Sequence, residues 1–265
     1  LVAPGGQRFT FLHRWQGPVR FEVTFGRAVD METRARDGRA IAEYVDRLAE
    51  GIEDSQPLEA LFRRLARPLG EPASRGVWYR QWRVVSIDGT TFDVGDTPAN
   101  ERAFGRPGAS RGRSAFPQLR CVALVENGTH VLFDVAVGSY ATSEVELAKP
   151  LVGALKPEML CLADRNFFSY QRWQEATATD AQLLWRVKSN LILPCEKRLE
   201  DGSYLTTIYP SPKDRRHRRQ GTRVRVIEYR LEGIGDPEPL YRLLTTILDP
   251  PLAPALELAA LYHER

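Results

Sequence analysis

Two aspartates stand where a strand would deliver them, each after an apolar run. Asp88 closes "RVVSID", and Asp164 follows "MLCLA" directly, with no polar residue between. A carboxylate at the end of a buried strand is a way to present an acid in a cleft. Taken singly, each aspartate reads as well as a turn or cap residue. As a pair on neighbouring strands they fit a different chemistry. Carboxylates are the natural ligands of Mg²⁺, which keeps several waters and takes one or two acids together with substrate phosphates. Two such ions about 3.5–4 Å apart activate water and stabilise the leaving oxygen of a phosphodiester. Gly89, beside Asp88, is expected to leave room for a phosphate or a metal.

A second feature points to a polyanion. The segment "KDRRHRRQGTRVR", residues 213–225, holds seven Lys/Arg and one Asp, a local charge of +6, whereas the whole chain carries +3 and the rest therefore −3. Clustered cations release counterions when they pair with phosphates. A solvated loop is the competing reading of the same run. Trp185 has the chemistry to stack on a base, but it lies in the apolar "LLWRVK", and core packing is the expectation. Lys188 ends that strand, within reach of phosphate or simply solvated. His13, His130, His217 and His263 show no metal-ligand spacing and are expected at the surface.

Elements must bring the two aspartates together. "RVVSID" reads as a first strand, with Gly89-Thr90 turning the chain and residues 93–117 forming a loop. "QLRCVALVE" and "THVLFDVAVG" read as a hairpin about Asn127-Gly128. Ser143 and Glu146 form a capping box before a helix that contains Pro150. "MLCLAD" is a buried strand, "SYQRWQEATA" a helix and "LLWRVK" another strand. Residues 189–250 contain strand-like pieces, "RVRVIEYRL" and "YRLLTTIL" among them. "PALELAALYHER" closes the chain as a helix begun by Pro254. The order strand, strand, strand, helix, strand, helix, strand predicts a mixed sheet flanked by helices. In it the hairpin lies to one side of the first strand, and the fourth strand returns beside the first in parallel through a helical crossover.

Upstream, "PLEALFRRLARPL" has the spacing of a short amphipathic helix stopped by Pro68 and Gly70. Residues 1–30 suggest a hairpin about Gly17-Pro18, and Ile41, Val45, Leu48 and Ile52 show weak helical spacing. The expected organisation is an N-terminal segment 1–55 of no assignable type, a helical lead-in 56–82, and an α/β domain 83–265 whose residues 189–250 form a mostly β insertion.

Composition excludes several classes. Hydrophobic content of 43% and charged content of 27% suit a folded domain with a real core. Cys121, Cys161 and Cys195 are odd in number, far apart and without a C-x-x-C pair, which argues against a disulfide framework or a zinc site and suits a reducing cytosol. No run is long enough to cross a bilayer, and no signal peptide opens the chain. Residue 1 is Leu rather than Met, and the expectation is a fragment or partial reading frame.

Four segments together resemble DDE-type transposases of bacterial insertion sequences, the family numbered four. "IDGTTFDVGDTPANERAFG" resembles the first-aspartate block and "SAFPQLRCVALVENGTH" the hairpin that follows it. "LADRNFFSYQRW" carries the L-x-D-R-x-F pattern of the second-aspartate block. "YHER" resembles the opening of the Y-x-x-R-x-x-x-E signature. The resemblance runs from about Leu58 to Arg265 and implies an RNase H-like fold. It makes Asp88 and Asp164 the first two metal-binding acids of a cut-and-paste transposase, with Mg²⁺, or Mn²⁺ in its place, as the cofactor. Tyr262 and Arg265 take the signature's Tyr and Arg, which contact DNA near the cleaved end. Arg165, Lys188, Arg215, Arg216, Arg218 and Arg219 are the further candidates for DNA contact, with Arg223 and Arg225 beside them.

The partner implied is double-stranded DNA, both element ends and target, with synapsis requiring a homodimer. The implied location is cytoplasmic, at the bacterial nucleoid. The third acid falls four residues beyond Arg265. Glu264 does not replace it, because it lies five positions short, about 140° round a helix. The expectation for residues 1–265 is therefore an incomplete triad and binding without cutting. A catalytically inactive DNA-binding remnant is the competing reading, and an unrelated metal-dependent nuclease on the same fold the third.

Overall fold

The computed structural model describes residues 56–109, 112–113, 116–230 and 240–264. The expectations for residues 1–55, His13 among them, and for Arg265 lie outside the described residues. The chain divides into two compact units, Leu1–Leu65 and Ala66–Arg265. In the first, helix α1 (Gln56–Leu65) carries an Arg63–Glu59 ion pair at 3.0 Å, one turn apart.

The second unit is built on one large mixed sheet. Its strands are β1 (Trp78–Tyr79), β2 (Trp82–Asp93), β5 (Gln118–Glu126), β6 (Val131–Ser139), β7 (Met159–Ala163), β8 (Gln182–Arg186), β9 (Lys197–Arg198), β10 (Tyr204–Ile208), β11 (Thr222–Tyr229) and β12 (Tyr241–Thr245). A separate ribbon pairs β3 (Gly108–Ala109) with β4 (Gly112–Arg113). The order in the large sheet is β6-β5-β2-β7-β8-β12-β11-β10-β9, with β1 folded onto β2. The first five strands have the RNase H-like arrangement: β6, β5 and β2 form an antiparallel meander, and β7 and β8 follow parallel to β2. Helices α3 (Glu144–Val152) and α4 (Tyr170–Thr177) make the crossovers into β7 and β8. The strands β9–β12 continue this sheet, since β12 pairs antiparallel with β8. Helix α2 (Pro98–Phe104) lies between β2 and β3, α5 (Pro212–His217) between β10 and β11, and α6 (Ala255–His263) ends the fold.

Burial explains why β7 reads as an unbroken apolar run. All five of its residues are buried, because it has a parallel neighbour on each side and helices on both faces. Strand alternation divides the core in two. Val85, Ile87, Cys161, Ala163, Leu183 and Trp185 face α3 and α4. Val84, Leu160, Leu162, Leu184 and Leu258 meet on the α6 face. Trp185 is fully buried edge-on to Trp173 of α4, as the apolar strand predicts.

Three local readings change. Gly89-Thr90 does not turn the chain: β2 runs on to Asp93, which pairs with Gln118 of β5, and cross-strand pairing overrides a turn-like dipeptide. The segment 93–117 contains α2, capped by the Thr97 hydroxyl, which accepts from the Asn100 amide. The β5–β6 connection spans four residues, and His130 rather than a glycine takes the left-handed conformation, at φ 57°. Gly128 is needed there for a different reason: a Cβ would come within 2.5 Å of the Arg75 carbonyl and the Val77 amide.

Candidate metal and DNA site

The register of the sheet places the two aspartates. Ile87 of β2 is the parallel partner of Ala163 of β7, so the next residues, Asp88 and Asp164, are level on adjacent strands. Neighbouring strands lie about 4.8 Å apart, which brings the two backbones together. By alternation both side chains follow Val84 and Leu162 onto the α6 face. Asp88 is exposed, and its Oδ1 accepts from the Gly89 amide at 2.9 Å. Asp88 does not end a strand, because β2 continues alongside β5. It stands where β7 stops, at the step between a long strand and a short one.

The third strand extends the row. Trp185 of β8 is the partner of Ala163, so Arg186 comes level with Asp164. Arg186 Nη1 lies 3.6 Å from Asp164 Oδ1, and its guanidinium covers the Tyr241 ring at 4.6 Å. The Tyr262 hydroxyl on α6 donates to the same Oδ1 at 3.4 Å, from a side chain that is itself buried. Tyr262 thus reaches the carboxylate from the helix layer that both aspartates face. Sequence reasoning passed over Arg186. The available signal was its place, two residues before Lys188 at the end of the next apolar strand.

The face opposite is closed. A Cβ on Gly89 would come within 3.0 Å of three Glu144 side-chain atoms at the start of α3, so the room beside Gly89 is taken by a side chain of this protein. Glycine is required there for packing, and the expected space for phosphate or metal is absent. Among the described residues, no group of three or more His, Cys, Asp or Glu side chains is placed to hold a metal ion. Asp88 and Asp164 are a pair of hard oxygen donors at one edge, which suits Mg²⁺ held partly through water.

Beside the pair lies a ring cluster. Tyr229 and Tyr241 stack at 5.4 Å between centroids, and His263 meets both edge-on at the same distance. The Tyr229 hydroxyl and His263 Nε2 share a 2.9 Å hydrogen bond. Burial pushes the Tyr229 phenol up, helped by Tyr262, and burial with the nearby Arg186 charge pushes the His263 imidazole down. His130, His217 and His263 are all exposed, as expected of histidines without ligand spacing.

The other candidates separate in space. Arg165 and Lys188 are exposed at the Asp164 end of the sheet. The basic run forms α5 and the turn into β11. Arg216, Arg218 and Arg219 are exposed, and half-buried Arg215 donates Nη2 to the Ile192 carbonyl at 2.8 Å. Arg218 ends α5 in the left-handed conformation at φ 52°, and Gln220 repeats it at 55°. The Arg219 and Arg218 amides donate back to the Asp214 and Arg215 carbonyls, the Schellman pattern in which glycine is usual at Arg218's position. The Tyr170 hydroxyl donates to the Gln220 carbonyl and ties this turn to the start of α4.

Arg225 corrects the expectation that it belongs with the DNA contacts. It is fully buried on β11 and faces Ala253 and Asp201 rather than solvent. Both faces of β11 are covered from Val224 to Ile227, whereas Arg223, on the same face as Arg225 but nearer the turn, is exposed.

Among the described residues, no helix is long and apolar enough to cross a membrane. The family model "Transposase DDE domain" matches residues 80–265. Among curated proteins, "Putative transposase InsZ" of Escherichia coli K12 is 31% identical over 115 residues, 43% of this chain and 38% of that protein. "Transposase InsG for insertion sequence element IS4" of the same organism is 27% identical over 135 residues, 50% of this chain and 30% of that one. The matches thus span about a third of the relatives' length. A crystal structure of endonuclease V from Bacillus subtilis is 12% identical, with 80% of this chain and 84% of that one covered at a TM-score of 0.30. The family match takes in both aspartate blocks and α6, and by it this chain belongs to the DDE-domain transposases of insertion sequences.

Proposed function

We propose that this domain breaks and joins phosphodiester bonds at the ends of an insertion sequence, by cut-and-paste transposition, with Asp88 and Asp164 holding divalent metal. The observation that carries this reading is the level placement of the two aspartates on adjacent parallel strands. Mg²⁺, or Mn²⁺ in its place, supplies activation of water and charge stabilisation at the leaving oxygen. Asp88 offers an exposed carboxylate, and Asp164 offers the oxygen not held by Arg186 and Tyr262. Arg186 balances the Asp164 charge, and Tyr262 fixes the orientation of that carboxyl. Arg165 and Lys188 meet phosphates beside the pair, with Arg265 following Tyr262 on the signature. Arg216, Arg218 and Arg219 meet the duplex farther along. Two copies of the domain bring two ends together.

The second reading is a DNA-binding remnant that does not cut. It is favoured by one observation: Arg216, Arg218 and Arg219 reach solvent on α5 and its turn, an arrangement that does not depend on metal at the aspartates. One experiment separates the two. The 265-residue chain, Asp88→Asn and Asp164→Asn are incubated with insertion-sequence-end duplexes and supercoiled plasmid, with Mg²⁺ or Mn²⁺. Metal-dependent cutting lost in both variants supports the first reading. Salt-sensitive binding with no cutting supports the second. Failure to bind DNA at low salt overturns both.

A further inference from the structure

Helix α6 carries Tyr262 to Asp164, yet nothing at its own start caps it. Its N-cap residue is Pro254, which has no side-chain acceptor to offer the first amides. The acceptor comes from elsewhere in the chain. Asp201, in the turn between β9 and β10, takes the Ala255 amide on Oδ2 at 2.8 Å. Ala255 is the first residue of the helix, so Asp201 meets one of the four amides every helix leaves open, at its positive end.

Asp201 is itself held. Arg225 Nη2 pairs with the same Oδ2, and the Ser203 amide donates to Oδ1 at 3.2 Å, joined there by the Ser203 hydroxyl. Arg225 is fully buried and uses its other donors nearby: Nε to Ser203 Oγ at 2.8 Å, and Nη1 to the Ala253 carbonyl at 2.7 Å and the Ile247 carbonyl at 3.4 Å. Those carbonyls belong to the segment that leads into α6. The strand turn, β11 and the start of the helix are thus joined by one set of charge-assisted bonds in a buried place, where such bonds fix geometry. Burial pushes the Asp201 carboxyl up, but Ser203, the Ala255 amide and Arg225 outweigh it and hold it below the ordinary carboxylate value.

The far end of the helix meets the aspartates. Between Ala255 and Tyr262, α6 makes about two turns, and Leu258 and Tyr262 pack on the sheet along the way. A helix seated at its start by a buried charge pair delivers Tyr262 at a set height. Without that seat, the start of α6 at Ala255 keeps only apolar contacts, while the exposed Glu257 bonds to Tyr79 and Arg80 and the His263–Tyr229 bond act further along the helix.

We infer that Asp201 and Arg225 are positioning residues for the carboxylate site. The pair seats the first turn of α6, fixes where the Tyr262 hydroxyl meets Asp164, and so links the strands that carry the basic turn to the metal-binding edge. The inference rests on the reading of Asp88 and Asp164 as metal ligands for its consequence at the metal, and on geometry alone for its effect on Tyr262.

The test uses the 265-residue chain with 3-fluorotyrosine at position 262, read by fluorine NMR, and Mn²⁺ binding read by electron paramagnetic resonance. Asp164→Ala gives the fluorine signal of a Tyr262 that has lost its partner. Asp201→Ala is expected to move the signal at least half way to that reference, while a fluorotyrosine label at Tyr140 stays in place. Losing an outer partner of a metal ligand should weaken Mn²⁺ binding by about tenfold. A folded Asp201→Ala protein with an unmoved Tyr262 signal overturns the inference. A moved signal with unchanged Mn²⁺ binding keeps the positioning role and counts against metal binding by the aspartates. If Asp201→Ala does not fold, Ser203→Ala, which removes only the hydroxyl between Asp201 and Arg225, is read in the same way. There a displaced signal supports the inference and an unmoved one overturns it.

Discussion

The carboxylate edge and the basic turn reach their arrangements by opposite routes. Asp88 and Asp164 are 76 positions apart in the chain, yet they stand level, because β2 and β7 pair in a register that one apolar run after another enforces. The basic residues between Lys213 and Arg225 are neighbours in the chain, yet the fold disperses them. Arg216, Arg218 and Arg219 reach solvent, Arg215 braces a loop, and Arg225 sits in the core. Strand register gathers distant residues, whereas the passage from helix and turn into a covered strand separates close ones. Density of charge in a sequence is therefore a weaker guide to a binding surface than what covers each residue in the fold: Arg223 and Arg225 share a strand face, and only Arg225 lies under the segment that leads into α6.

The largest expected effect contrasts two arginines of that one run. Arg225→Met removes one partner of a buried ion pair and orphans the Ala253 carbonyl, so it should lower unfolding free energy by about 3 kcal/mol or more. Arg216→Ala, nine positions earlier and exposed, should stay within about 0.5 kcal/mol. Urea denaturation of both variants checks the contrast, and equal losses would abolish it. The pair also has a pH signature. The Asp201 pKa in the folded chain lies below its unfolded value of 3.8, so its contribution is fully present above that value and is lost as pH falls through the lower, folded one. The stability gap between the natural chain and Asp201→Asn should therefore be flat from neutral pH down to about pH 4 and narrow below it.

A smaller effect probes the edge that register assembles. Replacing either aspartate by asparagine keeps size and removes charge, and Mn²⁺ affinity should fall at least tenfold, about the lower bound for disturbing even a ligand's outer partner. Glu144→Gln, half-buried on the other face of β2, should leave Mn²⁺ affinity within about twofold, since a carboxylate across the strand from the pair is not a ligand and its charge is screened. Titration followed by electron paramagnetic resonance decides this. A drop at Glu144 matching that at Asp88 would move the metal to the other face of β2.

Much of this edge could be read in the sequence because it depends on local signals. "MLCLAD" announces a strand buried on both faces, and the aspartate after it must emerge at its end. What escaped reading depends on pairing between distant segments. β2 continues past Gly89-Thr90 because β5 offers partners as far as Gln118, which no feature of "IDGTTFD" reports. Glu144 fills the space beside Gly89 only once α3 has packed on the sheet. Arg225 looked like its neighbours because nothing in "RVRVIEY" says that the segment leading into α6, with its Ile247 and Ala253 carbonyls, will cover this position and not Arg223. Asp201 carried no signal, since a turn residue that caps a helix 54 positions later is visible only in the fold.

The smallest effect is also the one with two signs. Arg218 holds the left-handed conformation at the end of α5, where glycine is the usual residue. The side chain is strained there, at a cost on the order of 1 kcal/mol. Backbone strain of this kind persists where surrounding contacts enforce it, and it gathers at sites of function. Here the Tyr170 hydroxyl on the Gln220 carbonyl and the two amide bonds back to α5 supply the enforcement. Arg218→Gly relieves the strain and removes a cation, so the two properties should move apart. Unfolding free energy should rise by about 0.5–1 kcal/mol. The slope of log affinity for duplex DNA against log salt should flatten by about 0.9 if the guanidinium meets a phosphate. Arg218→Lys separates the causes: it keeps the strain and the charge, so both readings should stay near those of the natural chain. A gain in stability with no change in slope would show that Arg218 faces solvent to no purpose and would move the DNA surface toward Arg165 and Lys188. A loss of stability in the glycine variant would show that the arginine side chain holds the turn itself, and the comparison between a gathered edge and a dispersed run would then narrow to Arg216 and Arg219.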